Sequence, residues 1–113
     1  MDFMKAHQLT CVVEDWGLVD YQDAYARQKA LGNRVIAGDS PHLVLCEHPA
    51  VLTVGRMTKP DSILWPAENI TAAGVSVLPI DRGGDITLHA PGQLVVYPIF
   101  NLNDRGRDLK LFL

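Results

Sequence analysis

Apolar positions along the chain fall into short dense runs, separated by glycine, proline and charged residues, and two spacings are visible in them. Residues 9–13 (Leu-Thr-Cys-Val-Val) are apolar and β-branched, which predicts a first strand, broken by Glu14-Asp15-Trp16-Gly17. Asp20 then reads as the N-cap of a helix in which Tyr21, Ala24, Tyr25, Leu31 and Val35 recur at intervals near three and four. Gly32-Asn33 inside that span leaves open an early end. Residues 38–41 (Gly-Asp-Ser-Pro) are a turn, and residues 42–47 predict a second strand, apolar enough to be buried on both faces. His48-Pro49 ends it, because a residue before proline is pushed into extended geometry. Residues 51–56 resume as a short strand closing on Gly55-Arg56, and residues 57–69, with Pro60 and Pro66, predict a loop holding one helical turn. A third clear strand is expected over 75–80, an extended piece over 85–89 and a last long strand over 94–100. Pro98 removes a ladder donor from that strand, which predicts an edge or a bulge. A polar turn over 101–107 leads to Asp108 as an N-cap with the apolar residues 109–113 as a first helical turn. Strands interspersed with one or two helices predict the α+β or mixed α/β class.

Composition narrows the function classes. At 113 residues the chain is one domain at most, and 48% apolar with 20% charged residues is ordinary for a globular protein. The formal charge of −3, with lysines and arginines scattered singly, provides no basic stripe to follow phosphates, so no nucleic-acid partner is expected. No apolar run reaches the roughly eighteen residues of a spanning helix, so no membrane partner is expected. The N-terminus lacks the basic start and long apolar core of a signal peptide, and a cytoplasmic address is expected by default. Cys11 and Cys46 each sit inside an apolar run without a CxxC neighbour, so both are expected to be reduced core residues, with no metal site.

One stretch concentrates the candidate chemistry: Asp81-Arg82-Gly83-Gly84-Asp85-Ile86-Thr87-Leu88-His89-Ala90-Pro91-Gly92-Gln93. Paired glycines let a ligand approach main-chain N–H groups closely. Arg82 offers a planar donor fork, and Thr87 and His89, two apart on an extended segment, point to one face. Pro91-Gly92 suits a tight turn, and Gln93 can donate and accept at the entrance of the next strand. The stretch is neither a P-loop nor GxGxxG, so a nucleotide is not indicated, and by spacing alone a plain inter-strand turn explains it as well.

Arg82-Gly83-Gly84-x-x-Thr87-x-His89-x-Pro91-Gly92-Gln93, followed by Tyr97, resembles the signature of the lipoyl(octanoyl) transferases, the octanoyl-[acyl carrier protein]:protein N-octanoyltransferases. Glu47-His48-Pro49-Ala50-Val51-Leu52-Thr53-x-Gly55-Arg56 resembles the upstream segment of the same family, at a compatible distance. The resemblance implies a mixed bent sheet with flanking helices, the catalytic domain shared with biotin- and lipoate-protein ligases. It implies an acyltransferase that moves an octanoyl group from octanoyl-acyl carrier protein to a lysine of lipoyl domains, in 2-oxoacid dehydrogenases and the glycine cleavage H protein, through a cysteine thioester and with no cofactor. Carried over by position, Arg82, Gly83, Gly84, Asp85, Ile86, Thr87, Leu88 and His89 would form the wall of the acyl pocket, with His48 and Tyr97 as its neighbours. Two positions depart from the family pattern: Leu88 stands where tyrosine is usual, and Ala90 where glycine is usual. Cys11 and Cys46 match neither the family's nucleophilic cysteine nor its pKa-lowering lysine. The resemblance places both beyond Leu113, so no catalytic residue is expected within residues 1–113, which read as the N-terminal part of one catalytic domain. Two other readings are a fragment of an ATP-dependent lipoate or biotin ligase, and a non-catalytic module that holds acyl carrier protein or a lipoyl domain.

Overall fold

The computed structural model describes residues 10–101. Among them the order is β1 (Val12–Leu18), α1 (Tyr21–Ile36), β2 (His42–Glu47), β3 (Val51–Val54), α2 (Ala67–Ala72), β4 (Ser76–Pro79), β5 (Ile86–His89) and β6 (Val95–Ile99). The mixed α/β class expected from the sequence holds. The sheet is divided into two three-stranded sheets, β1-β2-β6 and β4-β3-β5. The division falls at His48-Pro49-Ala50, where the chain leaves β2 in one sheet and enters β3 in the other. Each sheet is mixed: β1 runs parallel and β6 antiparallel to β2, and β4 runs parallel and β5 antiparallel to β3.

The first strand differs from its expected position. Instead of breaking at Glu14, β1 runs through Glu14-Asp15-Trp16-Gly17, because β2 offers it a parallel ladder from Val12 opposite His42 to Leu18 opposite Glu47. The irregular residues are absorbed as a bulge between Asp15 and Gly17, in which Trp16 is the unpaired residue. Gly17 takes φ +63° there, and its N–H donates to Asp15 Oδ1 at 2.8 Å. Cys11, expected in the core, is exposed just before this strand, whereas Cys46 is buried; both are free thiols. β2 is also less enclosed than its composition implied. His42, Val44 and Cys46 are buried on one face, while Leu43, Leu45 and Glu47 on the other are only partly covered.

Helix α1 begins as expected, with the Asp20 carboxylate accepting the N–H groups of Gln22 and Asp23. It continues across Gly32-Asn33 to Ile36, because Leu31 and Val35 on either side are both buried and their packing outweighs the weak helix propensity of the pair. The single helical turn expected within 57–69 is α2, which starts at Ala67 and runs past Asn69 so that Ile70 can be buried. β6 lies at the edge of its sheet with Pro98 opposite Leu43, the edge placement that its missing donor requires. A small core of Val19, Ala24 and Cys46, flanked by Trp16, Val95 and Tyr97, joins α1 to this sheet. The polar turn and terminal helical turn expected over 102–113, and Leu9 of the first strand, lie outside the described residues.

The segment after β3 is sewn to the segment before β5. The N–H groups of Gly55, Arg56 and Met57 donate to the carbonyls of Asp85, Arg82 and Gly84, each at 2.8 Å. A Cβ on Gly55 would stand 2.6 Å from the Gly84 carbonyl oxygen, 2.8 Å from that of Asp85 and 3.0 Å from that of Arg82, all backbone atoms. Only glycine lets the two strands of chain lie this close. Gly32, in contrast, has nothing within 4 Å of a Cβ. Gly55→Ala is therefore expected to cost about 2–3 kcal/mol in urea denaturation, as forced overpacking does. Gly32→Ala is expected to stabilise by about 0.5–1 kcal/mol, as alanine does within a helix. Equal midpoints for the two variants would contradict this account of the seam.

Candidate functional site

The buried face of β2 continues one step past the strand, which brings His48 into line behind His42, Val44 and Cys46 with no exposed surface at all. Its Nδ1 lies 2.7 Å from the Val19 carbonyl oxygen. A carbonyl only accepts, so Nδ1 carries the proton, and in the neutral ring Nε2 is left as an acceptor. Tyr97 fills that role from β6, its hydroxyl donating to Nε2 at 2.8 Å. The Cys46 thiol sits 3.8 Å from the same nitrogen.

Two further rings close around His48. The Asp20 cap sets Tyr21 at the first helical position, with its ring edge-on to His48 at 5.2 Å between centroids. His89, at the end of β5, packs edge-on to His48 at 5.6 Å and stacks on Tyr21 at 5.9 Å. Two contacts fix His89 in turn. Its Nδ1 pairs with Gln93 Oε1 at 2.8 Å, and the Pro91-Gly92 turn is tied down by the Gly92 N–H donating to the Glu47 carboxylate. Burial pushes the Tyr97 phenol well above its ordinary range, with the neighbouring Tyr21 and Cys46 adding to the effect. Burial also pushes the Tyr21 phenol up, and the Arg82 charge pulls it partly back, so the arginine is close enough to be felt in the ring cluster.

The eight positions expected to form a pocket wall do not all face the same way. Arg82 is folded into its own loop: Nη1 donates to the Gly83 carbonyl at 2.7 Å, and Nη2 to the Asp85 carbonyl at 3.3 Å and to Thr53 Oγ1 at 3.2 Å. Gly84 takes φ +84°, and a Cβ there would meet Arg82 Nη1 at 3.1 Å. Asp85 accepts from the Ser62 hydroxyl at 2.9 Å. Along β5 the side chains alternate. His89, and with it Thr87, belongs to the face of the ring cluster, while Ile86 and Leu88 line an apolar cavity of about 360 Å³ on the other face with Leu52, Ile63, Trp65 and Ile70. Leu88, half exposed, is thus directed away from the histidines. A second cavity of about 360 Å³ adjoins the rings, lined by Tyr21, Gln22 and Tyr25 of α1 and by Leu78, Pro79, Ile80 and Asp81 leading into the arginine loop.

His48, His89 and Tyr97, singled out in the sequence, come together here. Tyr21, read from the sequence only as a helix position, belongs with them. Glu47, Thr53 and Gln93 prove to be the residues that hold the others. The signal for Tyr21 was its place directly after a capping aspartate, which fixes the direction of the first helical residue. Nothing in the periodicity distinguished Thr53 from its apolar neighbours. As a chemical assembly the site offers a desolvated aromatic and imidazole surface next to a glycine loop with approachable backbone, suited to an apolar ligand carrying one polar group.

The family model of the lipoyl protein ligase A/B catalytic domain matches residues 20–112. Among curated proteins, the chain is 48% identical over 97 residues to the octanoyltransferase of Deinococcus radiodurans, covering 85% of this chain and 29% of that protein. It is 46% identical over 102 residues to the octanoyltransferase of Syntrophotalea carbinolica, covering 89% of this chain and 45% of that protein. The chain thus spans less than half the length of either relative. Among solved structures, P. falciparum LipL1 in complex with lipoate superposes with a TM-score of 0.55 at 15% identity, over 75% of this chain and 29% of that one. A putative lipoate protein ligase from T. acidophilum superposes at 0.50 with 15% identity, over 76% of this chain and 36% of that one. These two structures share the fold with the chain.

Removing the Tyr97 hydroxyl leaves the buried His48 Nε2 with only the weak Cys46 thiol as a donor, so Tyr97→Phe is expected to lose about 1–2 kcal/mol of stability. A tyrosine in the unfolded chain ionises near pH 10. With the folded-state pKa raised, the contribution of Tyr97 is full below about pH 10 and is lost as the pH rises above it. Urea denaturation across that range is expected to show a steeper alkaline loss for the native protein than for Tyr97→Phe; parallel curves would contradict the buried phenol.

Proposed function

The chain belongs to the lipoyl protein ligase A/B catalytic domain family, and on that footing we propose that it is the N-terminal part of an octanoyltransferase catalytic domain. The proposed reaction carries an octanoyl group from octanoyl-acyl carrier protein to the lysine amine of a lipoyl domain, in the 2-oxoacid dehydrogenases and the glycine cleavage H protein. The observation that supports it most is the meeting of the two motifs. His48, from the upstream motif, and His89, from the glycine motif, pack ring against ring at 5.6 Å, so stretches far apart in sequence make one surface. Proteins called octanoyltransferases match the chain as a whole, at 48% identity over 97 residues and 46% over 102.

In this reading the loop of Arg82, Gly83, Gly84 and Asp85, with Thr87 and His89, forms one wall of the acyl site, and Ile86 and Leu88 support it from behind. A saturated chain offers shape and apolar area alone, worth about 0.8 kcal/mol per buried methylene. Tyr21, His48 and Tyr97 supply a water-poor floor, and the backbone of the glycine loop is free to approach the thioester carbonyl. Acyl transfer then proceeds in two exchanges. A cysteine thiolate adds to the carbonyl and expels the carrier thiol, forming a new thioester, and the lysine amine adds to that thioester, loses a proton and expels the cysteine thiolate. Neither described cysteine suits this role. Burial pushes the Cys46 thiol up, with Asp15 adding to the effect, which leaves it protonated and inert, and Cys11 lies before β1, outside the ring cluster. We place the nucleophile and its activating lysine after Leu113. No described helix is long and apolar enough to cross a membrane. We propose a cytoplasmic reaction on the separate ground that the proposed substrates are carrier domains.

The protein expressed from its complete reading frame is expected to octanoylate an apo lipoyl domain from octanoyl-acyl carrier protein without ATP, read as an added acyl mass on the acceptor lysine. Modification that requires ATP and a free fatty or lipoic acid would replace this reading with that of a ligase, and tight binding of either domain without transfer would replace it with that of a binding module.

A further inference from the structure

Thr53 is completely buried in β3, in a strand whose neighbours Val51 and Leu52 are apolar core residues. A hydroxyl in that position is costly unless both its proton and its lone pair are used. Both are. Thr53 Oγ1 donates to the Thr87 carbonyl at 3.2 Å and accepts from Arg82 Nη2 at 3.2 Å. The two residues it joins belong to different parts of the glycine motif, and Thr53 itself stands directly opposite Thr87 in the β3–β5 ladder.

The remaining partners of Arg82 are the carbonyls of Gly83 and Asp85, in the loop that the guanidinium itself spans. The loop carbonyls of Arg82, Gly84 and Asp85 are in turn the acceptors for Arg56, Met57 and Gly55. A planar guanidinium can serve several acceptors only at one orientation. Among the described residues, Thr53 is the one of its three acceptors that lies outside the loop, and it is anchored in the sheet core.

We propose that Thr53 is a positioning residue for the acyl site: its hydroxyl registers the Arg82 guanidinium against β3, and through it fixes the shape of the Gly83-Gly84-Asp85 wall. The proposal rests on the octanoyltransferase reading. It assigns Arg82 an inward role, that of a brace for the wall, in place of a fork held out to the ligand. Loss of the hydroxyl removes the sheet-side acceptor of Arg82 while the β3 core packing is preserved.

The test compares Thr53→Val, which keeps the shape and removes the hydroxyl, with Thr53→Ser, which keeps the hydroxyl, in the protein expressed from its complete reading frame. Steady-state octanoyl transfer is measured at varied octanoyl-acyl carrier protein. Thr53→Val is expected to raise KM for the acyl donor about tenfold with kcat within about twofold of the native value, the signature of lost binding that is shared by ground state and transition state. Thr53→Ser is expected to restore KM to within about twofold of native. A hydroxyl that served folding alone would lower the active fraction, so that kcat falls with KM unchanged; that result, or an equal KM rise in the serine variant, overturns the proposal. If Thr53→Val does not yield folded protein, Arg82→Lys reads the same contact from its other side, since a single ammonium cannot serve three acceptors in one plane. A raised KM is then expected, and an unchanged KM overturns the proposal. Absence of transfer by the native protein would count against the octanoyltransferase reading itself, whereas transfer with unaltered KM in the variants counts against Thr53 only.

Discussion

Three backbone hydrogen bonds, from Gly55, Arg56 and Met57 to the carbonyls of Asp85, Arg82 and Gly84, fix the glycine loop against the end of β3. They join the end of the upstream motif to the start of the glycine motif. They require a residue without a side chain at position 55, where three backbone oxygens lie within 3.0 Å of any Cβ. A close approach of this kind cannot relax by moving a side chain, because the obstructing atoms are themselves bonded into the seam. The β3–β5 ladder continues the same contact, and Thr53, buried in it, reaches up to Arg82. The loop, its arginine and the strand that carries His89 therefore behave as one unit.

The second organising contact is the hydrogen-bond chain through His48. The Val19 carbonyl decides which nitrogen carries the proton, and Tyr97 takes the other. One ring thereby connects the segment entering α1, the exit of β2 and the edge strand β6. Tyr21 and His89 rest against it. His48 also sits at the junction where the chain passes from one sheet to the other, so the ring cluster lies where both sheets can contribute to it. That placement explains how a site arises from two sheets of three short strands each.

Much of this was legible in the sequence, for particular reasons. The helix start at Asp20, the strand at 42–47, the strand expected over 51–56, which ends at Val54, and the edge character of β6 follow from capping, apolar runs and a single proline. The position of β1 was not legible, since Glu14-Asp15-Trp16-Gly17 has the composition of a break, and only the ladder offered by β2 and a bulge at Trp16 make it a strand. The eight positions expected to form a wall are consecutive in the chain, but that they divide between two faces appears only once β5 is paired: Thr87 and His89 share the ring face, and Ile86 and Leu88 turn to the apolar cavity behind. Leu88, a departure from the family pattern, therefore stands on the cavity side of β5. Thr53 and Glu47 were invisible as holding residues because their partners, the Thr87 carbonyl, the Arg82 guanidinium and the Gly92 N–H, are distant in sequence.

On the octanoyltransferase reading, one face of this assembly, the ring cluster with the glycine loop, recognises an acyl group. Its most direct test is an NMR titration of the isotope-labelled protein, expressed from its complete reading frame, with an octanoyl thioether analogue of the acyl carrier arm that cannot transfer. The backbone amides of Gly83 and Gly84 and the ring signals of His48 and His89 are expected to shift together along one saturation curve, while the Trp65 indole on the opposite face stays unchanged. Saturable shifts of Trp65 and Leu88, with the two histidines and the glycine loop unmoved, would contradict it.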